Sequence, residues 1–383
     1  MRNTSELEDC FGCGVCAIAC PKKIISIRLS YEGFYKPEIV EHGKCIECGA
    51  CMKVCSFLHE DISLHKEIDS AWAAWSMDME VRRKCSSGGV GFEIGKLALD
   101  EDAQVCGVRY DIEKKRAEHF IASTKEELVQ TVGSKYIQSY TVDGFKDINL
   151  NKKYLVTGTP CQIDSFRRYI QMQHKENNFV LMDFFCHGVP SMRMWNVYCR
   201  IAEYQLGKIS HTTWRNKWTG WHDSWAINMI GSICSRRTWL SKGDLFYKLY
   251  LGNFCMNKAC HKECKYKYDN SAADIRIGDM WGSTYEKNED GVSALIAFTN
   301  KGKAIVEKLQ DRCELEEYPF KVVAEGQMKK NCGVAYTNRI VRFMLHSNKI
   351  YNLQEWNRIF LLEKFLKLPK RIIKKITTTL FLA

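Results

Sequence analysis

The chain has little proline and no long apolar run. Only 6 of its 383 residues are proline, and no apolar segment approaches the roughly 20 residues that a membrane-spanning helix needs. The opening segment, MRNTSELEDC, is polar and acidic and has no apolar signal core. With 45% hydrophobic and 26% charged residues, the composition is typical of a globular protein. We therefore expect a cytoplasmic protein of two or three domains.

Cysteine, in contrast, is abundant. The 19 cysteines are nevertheless fewer, in proportion, than the roughly 8–10% found in small disulfide scaffolds, and the chain is far longer than such scaffolds. In a reducing compartment, closely spaced cysteines are more often metal ligands or catalytic groups than disulfides. The cysteine spacing is therefore the main guide to function.

Two segments near the start have the same dense cysteine pattern. Residues 10–21 read CFGCGVCAIACP and residues 45–56 read CIECGACMKVCS, and both follow the C-x2-C-x2-C-x3-C spacing of bacterial two-cluster ferredoxins. Ser56 replaces the usual final proline in the second run. In this pattern the fourth cysteine of each run binds the other cluster. The predicted 4Fe-4S ligands are Cys10, Cys13, Cys16 and Cys55 for one cluster, and Cys45, Cys48, Cys51 and Cys20 for the other.

A zinc module would instead use four cysteines in two separated pairs, so we expect two 4Fe-4S clusters. The fold class expected is α+β / α/β, with a bacterial-type ferredoxin module over residues 1–60 followed by a larger mixed α/β domain. The polar segment 59–69 is expected to be a linker.

From residue 70 onward, strand and helix patterns alternate. Strands are predicted over 103–111 and 116–123, a helix over 125–132, and strand-turn-helix units over 153–171, 178–205 and 293–310, which favour parallel α/β pairing. The region 209–251 indicates added strands and loops, and 273–282 a further strand. We divide this part into 70–150, 151–325 and a basic helical tail, 326–383.

Two later cysteines follow consecutive predicted strands. Cys161 lies in TGTPCQ and Cys186 in FFCHG, at the strand ends where open α/β sheets bind ligands. With Cys260 and Cys264 of CHKEC they would make the four thiolates of a third 4Fe-4S cluster. The alternative is that they are small buried hydrophobes, as we expect for Cys106, Cys199 and Cys234. The spacing assigns no partner to Cys255, Cys313 or Cys332.

A glycine- and serine-rich segment, CSSGGVGFEIGKLAL (85–99), precedes a predicted helix. It lacks both the Walker and the G-x-G-x-x-G spacing. Ser86 and Ser87 are expected to cap the helix, and Gly88 and Gly89 to leave its first N–H groups open to a phosphate. An ordinary capped helix is an equal alternative.

Several motifs occur in a characteristic order: CSSGG, VGSKYIQS (132–139), TGTPCQI, CHGVPS, RNKWTGW, CHKECKY and ADIRIGDMWG. Together they resemble the coenzyme F420 hydrogenase/dehydrogenase beta subunit family, in its ferredoxin-fused form, over about residues 1–320. The resemblance implies FAD, contacted by Ser86, Ser87, Gly88, Gly89, Gly133, Ser134, Lys135 and Tyr136. It also supports the third cluster on Cys161, Cys186, Cys260 and Cys264. Cys85 stands where the family more often has serine, and is either harmless or a reactive thiol beside the flavin.

We therefore expect a flavin-dependent iron–sulfur oxidoreductase that exchanges electrons between the clusters and FAD and transfers a hydride to or from a small acceptor. His187 and Asp279 are weak candidates for proton donors, with a core histidine and a structural turn aspartate as alternatives. An electron-transfer adaptor subunit, and a metal-stabilised module without redox turnover in a polysaccharide pathway, are the other hypotheses. A redox partner protein or a soluble ferredoxin is an expected partner.

The charge does not indicate a nucleic-acid partner. Three 4Fe-4S clusters, each bringing a net charge of about −2, would lower the formal +11 to about +5, and no nucleic-acid-binding motif is found. Residues 356–383 carry seven Lys/Arg and one Glu. This segment could form a basic amphipathic helix on an anionic membrane surface, broken at Pro369, or a packed terminal helix.

Overall fold

The computed structural model describes residues 1–64, 68, 70–347 and 349–368. Part of the predicted linker (65–67 and 69) and the end of the basic tail (369–383) lie outside the described residues. The strands are β1 (Ile25–Leu29), β2 (Tyr35–Ile39), β3 (Ser70–Ser76), β4 (Gln104–Asp111), β5 (Arg116–Ala122), β6 (Ser139–Tyr140), β7 (Tyr154–Thr157), β8 (Phe179–Phe184), β9 (Ile209–Thr213), β10 (Ala226–Gly231), β11 (Ser235–Trp239), β12 (Ile275–Asp279), β13 (Ser293–Ala297) and β14 (Cys313–Glu317).

The α-helices are α1 (Val15–Ala19), α2 (Ala50–Lys53), α3 (Met79–Lys84), α4 (Val90–Asp100), α5 (Lys125–Leu128), α6 (Val142–Lys146), α7 (Pro160–Met172), α8 (Met192–Leu206), α9 (Leu245–Leu251), α10 (Lys258–Lys262), α11 (Asn300–Glu307), α12 (Phe320–Val323), α13 (Asn338–His346) and α14 (Leu353–Leu366). Within the described residues, no helix is both long enough and apolar enough to cross a bilayer.

A nine-stranded mixed sheet organises the larger part of the chain, in the order β14-β3-β13-β12-β8-β7-β4-β5-β6. The strand pairs β4/β7, β7/β8 and β8/β12 are parallel, whereas β12, β13, β3 and β14 pair antiparallel. The predicted neighbours β7 and β8 are joined through α7 and lie side by side. Their carboxyl ends, followed by Cys161 and Cys186, therefore open at the same edge of the sheet.

The N-terminal module is an antiparallel hairpin, β1–β2, with the two short helices α1 and α2. Each helix begins after a glycine in the left-handed conformation, Gly14 and Gly49, with φ of 74° and 72°. Val15 and Val54 of this module pack in the same apolar cluster as Ile163 and Phe166 of α7. The module and the larger domain thus share a hydrophobic core.

A three-stranded antiparallel sheet, β11-β10-β9, and the helices α8 and α9 form a second layer beside the main sheet. This agrees with the strands and loops expected over 209–251. Helix α14 packs onto the body, because Trp356 is buried and Glu363 accepts hydrogen bonds from the N–H and hydroxyl of Thr337. The described part of the basic tail is therefore a packed helix.

Two local expectations were wrong. Cys234 is exposed in the turn between β10 and β11, because the hairpin reverses before this residue and turns its thiol to solvent. Helix α4 is not capped by Ser86 or Ser87: its N-cap is Gly89, at φ 89°. Ser87 Oγ instead donates to the carbonyl of Val292 at 2.7 Å, because the loop is held against β13.

Candidate metal centres and cofactor cavity

Four cysteines of the ferredoxin module, the predicted ligands of the first cluster, lie close to one another. The thiols of Cys10, Cys13, Cys16 and Cys55 are close enough to influence one another's ionisation: burial, and then the neighbouring Cys13, raises the pKa of Cys10 and of Cys55 to about 12. The pKa of Cys16 is raised by burial and by Cys13 and Cys10. Buried thiols of this kind become thiolates only with a compensating positive charge, which bound iron supplies.

The second predicted quartet also assembles. Cys20, Cys45, Cys48 and Cys51 line one small cavity beside the β1–β2 hairpin. Cys51 is near enough to Cys55 to raise its pKa, so the two quartets are adjacent. The exchange of Cys20 and Cys55 as fourth ligands stays a prediction of the two-cluster ferredoxin spacing.

The third predicted quartet draws on three separate segments of the larger domain: those of Cys161, Cys186 and the CHKEC pair. Burial raises the pKa of Cys161, and the nearby Cys186 and Cys260 raise it further. Burial raises the pKa of Cys186 to about 11, and Cys264 acts on it in the same direction. The strand-end thiols and the CHKEC pair therefore lie close together, and their role as ligands of one cluster stays a prediction.

The first and third quartets are neighbours. Cys13 is close enough to Cys161 to raise its pKa. Asn257 joins the two sites directly: its Nδ2 donates to the carbonyl of Cys10 at 2.9 Å, and its Oδ1 accepts from the N–H of Ala259 at 2.9 Å, capping α10 immediately before Cys260. Thr141 and Ser165 also hold the first loop, through the carbonyl and thiol of Cys13.

Cys332 is a fifth cysteine at the third quartet. It is 4% exposed, and its Sγ lies 3.4 Å from His261 Nδ1 and 4.0 Å from the carbonyl oxygen of Cys260. No sequence pattern links it to this site, because it lies 68 positions after Cys264 and belongs to no motif. In the described part of the chain, no three His, Cys, Asp or Glu side chains converge as ligands of a single metal ion. A 4Fe-4S cluster differs in that each thiolate binds its own iron.

A cavity of about 470 Å³ lies against the third quartet and includes Cys186 in its wall. Its size is within the range of about 300–1,000 Å³ for small-molecule and cofactor sites. The segments 86–89 and 133–136 both line it and meet directly, since the Ser134 N–H donates to Ser86 Oγ at 2.9 Å. The first turn of α4, at Val90 and Gly91, also lines the cavity, and a helix N-terminus favours an anion.

Of the residues predicted to contact a flavin, seven line this cavity and Gly88 does not: Ser86, Ser87, Gly89, Gly133, Ser134, Lys135 and Tyr136. Gly88 donates its N–H to Ser293 Oγ at 3.0 Å, and a Cβ there would lie 2.5 Å from the Ala74 carbonyl oxygen. It lets the loop approach β3 and β13 and presents no N–H to a phosphate.

Lysine and cysteine side chains add to the polarity of this wall. Lys135 Nζ donates to three backbone carbonyls between 2.9 and 3.2 Å, those of Gln130, Thr131 and Val132, and burial lowers its pKa to about 7. Cys85 also lines the cavity. Burial raises the pKa of Cys85 to about 11, so it is a neutral thiol rather than a reactive thiolate at neutral pH.

Asp279 lines the cavity but is committed to an ion pair. Both of its carboxylate oxygens accept from Arg215 at 3.1 Å. Arg215 is fully buried, and it also donates to Tyr136 Oη at 3.0 Å and to the Ser86 carbonyl at 3.1 Å. Burial acts to lower the pKa of Arg215. The neighbouring Asp279 carboxylate acts in the opposite direction, and the pKa of the arginine is raised overall. Asp279 is thus a structural anchor, and Arg215, from the RNKWTGW motif, is a positioning residue that sequence reasoning left without a role.

His187 lines the cavity beside Cys186. Its Nε2 lies 2.8 Å from Asn253 Oδ1 and its Nδ1 3.1 Å from Met328 Sδ. Burial lowers its pKa, so the ring is neutral at neutral pH. Partners at both ring nitrogens therefore fix the orientation of the neutral imidazole. His187 stays a candidate for proton transfer.

Comparisons with known proteins place these features in a family. Three family profiles match the chain: the 4Fe-4S dicluster domain over residues 9–58, the N-terminal domain of the coenzyme F420 hydrogenase/dehydrogenase beta subunit over 71–144, and the C-terminal domain of the same subunit over 151–322. The matched ranges contain the twelve cysteines of the three quartets.

Among solved structures, the chain is similar to a chain of the F420-reducing NiFe hydrogenase complex from Methanosarcina barkeri. The two share 18% identity with a TM-score of 0.47, over 76% of this chain and 91% of that chain. No curated protein matches the sequence. From the ordered profile matches, the chain belongs to the coenzyme F420 hydrogenase/dehydrogenase beta subunit family, as a member whose N- and C-terminal beta subunit domains follow a fused 4Fe-4S dicluster domain.

Proposed function

We propose that this protein is an iron–sulfur flavoprotein oxidoreductase with three 4Fe-4S clusters and one FAD. Electrons would pass between the dicluster module and the flavin, and the flavin would exchange a hydride with a small acceptor. The observation that carries the proposal is the unbroken series of sites. The quartet around Cys51 adjoins that of Cys55, Cys13 adjoins Cys161, and Cys186 lies in the cavity wall.

The donor set fits iron–sulfur clusters. Each quartet supplies four thiolates, the number a 4Fe-4S cluster takes, without histidine or carboxylate ligands. The N–H of Gly12 donates to the sulfur of Cys10 at 3.2 Å, the type of hydrogen bond that tunes the potential of such clusters.

The cavity fits a dinucleotide flavin. The open wall at Gly133, where a Cβ would meet nothing within 4 Å, lies beside serine hydroxyls, which suit a pyrophosphate. Lys135 would contribute charge and not a hydrogen bond, because its Nζ already donates to three backbone carbonyls. Trp225, Tyr250 and Trp281 supply aromatic surface in the same cavity, which suits a planar ring system. FAD bound here would convert one-electron transfers into a two-electron hydride transfer.

Anoxic purification or reconstitution of the full chain tests the proposal. We expect about twelve irons per chain, from three four-iron clusters, and one FAD. The double variant Cys260→Ser/Cys264→Ser should retain about eight irons, with the dicluster EPR signals unchanged. The matched control is Cys199→Ser, a buried cysteine of α8 outside all three quartets, which should keep all twelve.

Two results would contradict the proposal in different ways. Zinc in place of iron would rule out the redox function altogether. About eight irons in the wild type would rule out only the third cluster. Turnover of a small acceptor by the isolated protein supports an oxidoreductase that acts alone. Flavin reduction without such turnover, restored by a second redox protein, would support the electron-transfer adaptor.

A further inference from the structure

Lys267 is a buried lysine between the third cysteine quartet and the cavity. Its side chain is 8% exposed and lines the cavity. Nζ donates to the carbonyl of Cys186 at 2.6 Å and to the carbonyl of His187 at 3.1 Å. The ammonium group is thus held against the backbone of a predicted cluster ligand.

The surroundings of Lys267 do not neutralise its charge. Among the described residues it forms no ion pair with a carboxylate, in contrast to its neighbour Lys265, whose Nζ lies 3.9 Å from Asp164 Oδ2. The thiols of Cys186 and Cys332 both have Lys267 as a favourable electrostatic neighbour. A buried cation therefore lies beside Cys186 of the quartet and beside the neighbouring Cys332.

We propose that Lys267 is a fixed positive charge that raises the reduction potential of the third cluster. The inference rests on the third cluster of the proposed function. Reduction adds one electron to the cluster and makes its net charge more negative, with no proton transferred to Lys267. A cation in a water-poor site favours the more negative, reduced form, so Lys267 eases electron entry into the cluster beside the cavity.

The test is an EPR-monitored redox titration of the reconstituted full chain, with a low-potential chemical reductant as electron donor. At a fixed potential near the wild-type midpoint, Lys267→Met should lower the ratio of reduced to oxidised third cluster about tenfold, equivalent to about 59 mV for one electron. The signals of the two dicluster sites should titrate as in the wild type.

Lys262→Met is the matched control. Lys262 lies on α10 between Cys260 and Cys264 but is exposed to solvent, so water screens its charge. The same loss of one charge should leave the ratio within about twofold of the wild type.

Two further variants separate charge from packing. Lys267→Arg keeps the charge and should titrate like the wild type, whereas Lys267→Gln keeps a hydrogen-bond donor but should shift like Lys267→Met. The inference would be overturned if Lys267→Gln had the same ratio of reduced to oxidised third cluster as the wild type. It would also be overturned if Lys267→Gln and Lys267→Arg shifted that ratio equally. If the methionine variant loses iron, the glutamine and arginine variants decide. About eight irons in the wild type would refute the third cluster itself, and this is visible before any titration.

Discussion

At the scale of single residues, Cys332 makes the third site unusual, because five thiols lie where a 4Fe-4S cluster takes four. Cys332 adjoins Cys260 and Cys264, but its thiol is engaged with His261 and with the carbonyl of Cys260. We expect Cys332→Ser to retain about twelve irons, since four thiolates complete the cluster. Cys264→Ser, measured in parallel for iron and EPR signals, should lose part of the third cluster. A loss confined to the Cys332 variant would instead identify Cys332 as the ligand.

His119 gives a pH dependence of stability. It is 1% exposed, its Nε2 lies 2.9 Å from the Thr157 carbonyl oxygen, and burial lowers its pKa from 6.5 to about 4. Below pH 6.5 the unfolded chain gains a proton that the folded chain refuses, so stability falls as the pH drops from 6.5 towards 4. Between pH 7.5 and 5.5 this group alone should cost about 1 kcal/mol of unfolding free energy.

Denaturation midpoints at the two pH values check this expectation. His119→Gln should lose this part of the pH dependence, because glutamine offers a neutral N–H donor. His211→Gln is the control, since His211 is exposed on β9 and should leave the dependence unchanged. An identical slope in the His119 variant and the wild type would contradict the assignment.

At the scale of elements, the loop before α4 depends on Gly88. A Cβ at this position would lie 2.5 Å from the Ala74 carbonyl oxygen and 2.9 Å from the Ser293 nitrogen, and neither backbone can yield without disturbing β3 or β13. We expect Gly88→Ala to destabilise the fold by about 1–3 kcal/mol and to weaken flavin binding through the displaced Ser86 and Ser87. Denaturation and flavin content measure the two effects. Gly43→Ala, where a Cβ meets nothing within 4 Å, should change neither.

The strand-turn-helix units show what the sequence could predict at this scale. The apolar runs before Cys161 and Cys186 indicated adjacent parallel strands, and β7 and β8 are adjacent and parallel. Local pattern did not reveal how the loop before α4 meets the rest of the sheet. The roles of Gly88 and Ser87 depend on Ser293 and Val292, about 205 residues away, and no local periodicity encodes that contact.

At the scale of the whole molecule, the dicluster domain was predictable because the ferredoxin cysteine spacing identifies it. The docking of that module onto the larger domain was not predictable. Its contacts are an apolar cluster shared with α7 and hydrogen bonds between distant segments, such as Thr141 Oγ1 to the Cys13 carbonyl at 2.8 Å. Arg215 and Lys267 were missed for the same reason: Arg215 lies within a motif and Lys267 directly after one, but each acts on partners from other elements. Tertiary contacts, rather than the local sequence pattern, determine the roles of these two side chains.

The amide of Asn257 has a kinetic consequence. Since one side chain joins the Cys10 loop to the helix that carries Cys260, the spacing between those two sites is set within the folded chain and not by collision. Electron exchange between them would be a first-order process, independent of protein concentration and insensitive to the ionic strength that governs encounters between separate carriers. Electron transfer from the dicluster module to the third site would thus be unimolecular, whereas transfer from a separate ferredoxin requires an encounter between two proteins.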